Sequence, residues 1–99
     1  MTIGTKDNFD KVIANGKVLA KFGAEWCGYC RMMEPVLKEL ANKYDGVVSV
    51  VKVDVDEETE LADRYDATTL PTFIVFENGV ETKRKIGAMP IEELERLIG

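Results

Sequence analysis

Valine occupies positions 47, 48, 50, 51, 53 and 55, and the stretch Val47 to Val55 most restricts what this chain can become. Near-continuous β-branching suits a strand covered on both faces, because a strand with one wet face alternates instead. A second apolar run, Lys17 to Ala24, precedes it, and the pattern between them predicts one long helix from Gly28 to Lys43 or Tyr44. Two strands joined by such a crossover pair in parallel. Further on, Thr72 to Glu77 and Val80 to Ile86 flank Asn78-Gly79, the strongest short hairpin signal, which adds antiparallel pairing at one edge. The expected architecture is therefore α/β: a central mixed β-sheet flanked by helices on both faces.

Three shorter helices complete the order α-β-α-β-α-β-β-α, with a minor strand near Thr2-Ile3. Asp7 to Ala14 places Phe9, Val12 and Ile13 on one face, and Glu57 to Tyr65 does the same for Leu61, Ala62 and Tyr65. Pro90 opens the last helix, with Ile91, Leu94, Leu97 and Ile98 turned inward. In the long helix, Met33, Val36, Leu37, Leu40, Ala41 and Tyr44 form the apolar stripe, and Glu34, Lys38 and Asn42 lie opposite. The methionine pair reads as core, and Pro35, lacking an N–H, predicts a kink in the axis. The acids Asp54, Asp56, Glu57 and Glu58 read as caps for the following helix. At 99 residues without internal repeats, the chain makes one domain spanning 1–99.

The chemistry sits where the first strong strand hands over to the long helix, in Phe22-Gly23-Ala24-Glu25-Trp26-Cys27-Gly28-Tyr29-Cys30-Arg31. Cys27 falls at or next to the helix N-terminus, where unpaired N–H groups and the helix dipole favour a thiolate, the form of cysteine that attacks a disulfide. Cys27 and Cys30 are the only cysteines and there is no histidine, which removes Cys–His and Ser–His–Asp nucleophiles. Structural zinc needs about four ligands, and the pair supplies two, so no metal is expected. A purely structural disulfide would close too small a loop to restrain the unfolded chain much. A C-x-x-C pair near a βαβ pattern is instead a redox signature. The net charge of −5 argues against a nucleic-acid surface. No apolar run is long enough to cross a bilayer, and the N-terminal segment lacks a secretory h-region, so the cytoplasm is the expected location.

Trp26-Cys27-Gly28-Tyr29-Cys30, Pro35, Lys52-Val53-Asp54, Leu70-Pro71-Thr72, Asn78-Gly79 and Gly87 together resemble the thioredoxin family in order and spacing, over essentially the whole chain. Glutaredoxins share a Cys-Gly-Tyr-Cys dithiol, but Glu25-Trp26, Pro35 and the Lys52-Val53-Asp54 strand look like thioredoxin. The resemblance implies the thioredoxin fold and a thiol-disulfide oxidoreductase that needs no cofactor beyond its own cysteines. It implies Cys27 as the exposed nucleophile and Cys30 as the resolving thiol, with Trp26 partly covering the site. Pro71 would be a cis-proline facing the dithiol, leaving the Leu70 backbone free to pair with an extended substrate segment. Gly28 would join the residues that tune the site, and Gly87, a close-approach position, would join Trp26, Leu70 and Pro71 in binding substrate. Protein disulfides would be the substrates and a separate thioredoxin reductase the electron donor, since the chain has no nucleotide-binding Gly-rich fingerprint. A monomer without nucleic-acid or membrane partners is expected.

Two residues depart from the family pattern. Where the family usually has proline, this chain has Tyr29, whose N–H adds a donor near Cys27 and favours thiolate. A stabilised thiolate makes the disulfide a stronger oxidant. Where the family usually carries a buried acid that handles the proton of the resolving cysteine, this chain has Lys21. Lys21 either snorkels to water or is a desolvated amine, able to accept the Cys30 proton when neutral. Lys52 is expected beside it, with an acid such as Glu25 or Asp54 between the two ammoniums if neither is neutral. The leading expectation is a reductant of protein disulfides. The alternatives are a disulfide oxidase or isomerase, a glutaredoxin-like activity, or a binding domain without turnover.

Overall fold

A computed structural model describes residues 1–99. In chain order the elements are β1 (Thr2–Ile3), α1 (Phe9–Val12), β2 (Lys17–Gly23), α2 (Gly28–Met32), α3 (Glu34–Lys43), β3 (Val48–Asp54), α4 (Thr59–Arg64), β4 (Thr72–Glu77), β5 (Val80–Ile86) and α5 (Ile91–Ile98). The five strands form one sheet in the order β1-β3-β2-β4-β5. β3 pairs in parallel with β1 and β2, whereas β4 runs antiparallel to both β2 and β5. The mixed sheet expected from the two crossover strands and the hairpin is the one observed. Asn78 and Gly79 both have positive φ, 51° and 86°, which is the backbone that a tight hairpin between twisted strands requires.

The pleat sorts side chains into two cores. Val18, Ala20 and Phe22 of β2 join Val51 and Val53 of β3 on one face, under Phe9 of α1 and Leu61 of α4. Leu19, Val48 and Val50 face the other way, under Leu37 and Leu40 of α3 and Leu94 and Ile98 of α5. A strand sandwiched in this way must be apolar on both sides, which is why valine recurs through β3. Only Val47, outside the strand, is left 71% exposed.

The long helix is broken rather than kinked. Met33 ends α2 and starts α3, with its N–H turned to the Cys30 carbonyl at 3.2 Å, one residue short of an α-helical bond. Pro35 lies in the first turn of α3 and cannot donate to Arg31, so the ladder lapses there. The break also divides the methionine pair: Met33 is buried in the second core, while Met32 is 62% exposed. α1 is shorter than the expected Asp7–Ala14, yet Phe9 and Ile13 are buried as its periodicity requires. The acidic cluster caps a turn more than a helix. Asp54 accepts from the amides of Asp56 and Glu57 at 2.9 and 3.4 Å, and α4 has no side-chain cap.

Candidate active site

The period of two that buries Leu19 under α3 also points Lys21 and Gly23 to that face, directly beneath α2. There the strand meets the dithiol. Cys27 is the N-cap of α2, and its Sγ accepts from the Cys30 amide at 3.2 Å. Cys30 lies one turn deeper, close enough to Gly23 that a Cβ there would stand 3.1 Å from the Cys30 Sγ. Both thiols are free and both are buried, Cys27 at 7% and Cys30 at 2% exposure. The expectation of an exposed Cys27 is corrected: Ala24, Val55 and Leu70 pack around the pair, and Cys27 keeps only slightly more exposure than Cys30.

The two thiols are displaced in opposite directions. Burial pushes the Cys27 thiol up, but hydrogen bonds from the Cys30 side chain and amide and from the Tyr29 amide, together with the Lys21 charge, bring it below the ordinary value. Burial and the neighbouring Cys27 push Cys30 up to about 11, against weaker help from the Ala24 backbone and Lys21. A capping position supplies backbone donors to the first sulfur and turns the second into the apolar interior. The donor that tyrosine restores at position 29 acts on Cys27 as its N–H predicts.

Lys21 does not snorkel. Its side chain is 5% exposed, and Nζ donates to the Cys30 carbonyl at 2.9 Å. Lys21 and Lys52 are direct neighbours across the β2–β3 ladder, and the acid between them is Glu34, not Glu25 or Asp54. One Glu34 oxygen lies 3.7 Å from Lys21 Nζ and forms a close ion pair with Lys52. Its other oxygen, Oε2, is buried and bonded to no protein group. Glu34 was expected on the outer face of the long helix; it lies instead on the face it shares with Cys30, four residues before it, turned to Lys21 and Lys52. These side chains line an open cleft of about 660 Å³ that runs from Lys21, Gly23 and Cys30 to Arg31, Glu34 and Lys52.

Around the mouth, Trp26 and Tyr29 are 69% and 64% exposed, and Trp26 Nε1 donates to Asp56 at 2.7 Å. Trp26 is therefore held at the rim, outside the core. Gly28 opens α2 with nothing within 4 Å of where a Cβ would stand. The Leu70-Pro71 peptide is cis, as the resemblance implied. Leu70 is half-buried, and its amide and carbonyl are bonded to no other group of the chain. Gly87, at φ 105°, donates its N–H to the Pro71 carbonyl at 2.8 Å and so ties the end of β5 to this loop. Sequence reasoning missed Gly23, Glu34 and Asp56. The first two had a signal: Gly23 is two residues from Lys21 on one strand, and Glu34 is four residues from Cys30.

Comparison with known proteins accords with this geometry. The family model described as Thioredoxin matches residues 1–99. Thioredoxin of Staphylococcus saprophyticus is 43% identical over 94 residues, covering 95% of this chain and 90% of that protein. Thioredoxin of Staphylococcus haemolyticus is 42% identical with the same coverage. Among solved structures, a mutant thioredoxin from Halobacterium salinarum superimposes with a TM-score of 0.91 at 36% identity, covering 98% of this chain and 86% of that one. Plasmodium falciparum thioredoxin gives the same score and identity, with coverage of 99% and 96%. With a two-cysteine helix start set against a cis-proline loop and relatives matched along nearly their full length, the chain belongs to the thioredoxin family of thiol-disulfide oxidoreductases, which reduce protein disulfides through their own dithiol and no separate cofactor.

Proposed function

We propose that residues 1–99 act as one domain in which Cys27 attacks and Cys30 resolves. The opposite displacement of the two thiols carries this reading, because it leaves one sulfur ready as thiolate and holds the other protonated until needed. The Cys27 thiolate attacks a substrate disulfide, forming a mixed disulfide and expelling one substrate sulfur as thiolate. Cys30 then loses its proton and attacks Cys27 Sγ. The Cys27–Cys30 bond forms, the bond to substrate breaks, and the second substrate sulfur leaves reduced. An extended substrate segment pairs with the free Leu70 backbone beside Pro71 and Gly87, with Trp26 at its flank. Thioredoxin reductase returns two electrons to the disulfide, and the protein works as a monomer in the cytoplasm.

Insulin reduction coupled to such a reductase tests this. Cys27→Ser should abolish turnover, and Cys30→Ser should accumulate a mixed disulfide on Cys27, visible by mass spectrometry. Turnover surviving in Cys27→Ser would remove the assignment. A second reading, net oxidation or isomerisation of disulfides, is favoured by the Tyr29 amide and the Lys21 charge, both of which lower Cys27. The reduction potential separates the two: a value well above that of the cytosolic glutathione pool would favour the oxidant.

A further inference from the structure

We propose that Glu34 is the proton acceptor for Cys30, held in place by Lys21 and Lys52. This deepens the resolving step proposed above and rests on it. Cys30 must lose a proton before it can attack, and its own surroundings oppose that loss. Lys21 is committed as a donor, to the Cys30 carbonyl at 2.9 Å and towards Glu34 at 3.7 Å. Glu34 differs from every other acid near the dithiol in one respect. Oε1 faces the two ammoniums, while Oε2 is shielded within the protein yet bonded to nothing in it. An acceptor oxygen left unpaired carries a penalty of about 1–3 kcal/mol, so Oε2 is the carboxylate oxygen beside the dithiol with free capacity to take a hydrogen.

The path is open as well. Gly23 contributes no side chain where a Cβ would crowd Cys30 Sγ, and Cys30 and Glu34 line the same cleft. Charged groups facing Glu34 come from every side: Lys21 on β2, Lys52 and Asp54 on β3, Glu25 and Arg31 around α2, and Glu57 after β3. The step balances. The Cys30 proton passes to Glu34, the Cys30 thiolate takes Cys27 Sγ, the substrate sulfur leaves as thiolate, and Glu34 returns the proton to solvent through the cleft.

Stopped-flow reaction with a chromogenic aromatic disulfide resolves the two halves, because Cys27 attack releases the first thiolate and Cys30 attack the second. In Glu34→Gln the first phase should stay within about twofold of wild type and the second should slow roughly a hundredfold at neutral pH, with the gap closing in alkali as hydroxide takes over. Formate should accelerate the second phase of Glu34→Ala, because it fits the vacated cleft. It should leave wild type unchanged, since the internal acceptor already serves; this last measurement needs no variant. A wild-type second phase that rises with formate overturns the proposal. So does an unaltered second phase in Glu34→Gln, equal slowing of both phases, or the absence of formate rescue. A wild-type protein that releases only one thiolate, or none, would instead refute the Cys27–Cys30 reading beneath it.

Discussion

Single residues around the dithiol carry more of the tuning than the cysteines do. The Tyr29 amide is one of the groups that lower Cys27, and proline would delete it. Its loss destabilises the thiolate, hence the reduced form, and the potential should fall. A hydrogen bond to a charged group is worth roughly 1.5–3 kcal/mol, so Tyr29→Pro should make the couple more reducing by about 30 mV or more, measured against a glutathione redox buffer. Gly23 contributes by what it lacks. In Gly23→Ala the new methyl would stand 3.1 Å from Cys30 Sγ and 3.2 Å from Lys21 Cε. Overpacking of that kind costs about 1–3 kcal/mol, and urea unfolding should show it in the reduced protein. Tyr29 was legible from its place in the dithiol. Gly23 was not singled out, because a glycine in a strand shows what it avoids only when its neighbours are in place.

At the level of elements, the helices follow their periodicity and the connections do not. α5 repeats its apolar residues at helical spacing, with Leu94 fully buried between α3 and the sheet. Leu94→Ala should cost about 2–5 kcal/mol, whereas Glu92→Ala, on the outer face, should stay within about 0.5 kcal/mol in thermal or urea unfolding. The split of the long helix into α2 and α3 was visible in Pro35 only as a kink. Whether a missing donor bends a helix or ends it depends on whether Met33 can adopt a dihedral pair serving both halves, and packing in the second core decides that. Glu34, in the first turn of α3, meets both lysines from just beyond that break.

For the whole molecule, the two thiols couple redox state to stability. In the reduced protein Cys30 titrates near 11, above an unfolded cysteine at about 8.5. Between these values the unfolded chain gives up its proton first, so raising the pH favours unfolding and stability falls across that window. Cys27, displaced downward, contributes stability that is present above the unfolded value and is lost as the pH falls through its folded value. Oxidation removes both titrations. Urea unfolding from pH 8 to 11 should therefore show the reduced form losing ground to the oxidised one, and Cys30→Ser should remove the alkaline part of that loss. A difference independent of pH would contradict the burial of Cys30.

The chain's own pattern determined the strands, the hairpin, the faces of its helices and the position of the dithiol, because these depend on residues close together in sequence: valine runs, Asn78-Gly79, apolar spacing and a C-x-x-C pair. It also placed Lys52 near Lys21 on the neighbouring strand, and the observed register makes the two direct partners. Tertiary structure alone decided which acid lies between them, how deeply Cys27 is covered and where Trp26 is anchored. Each of those outcomes depends on how separate elements approach one another. A helix start, the strand beneath it and the Lys21 side chain set the electrostatics around the two sulfurs, and neither propensity nor spacing encodes that approach.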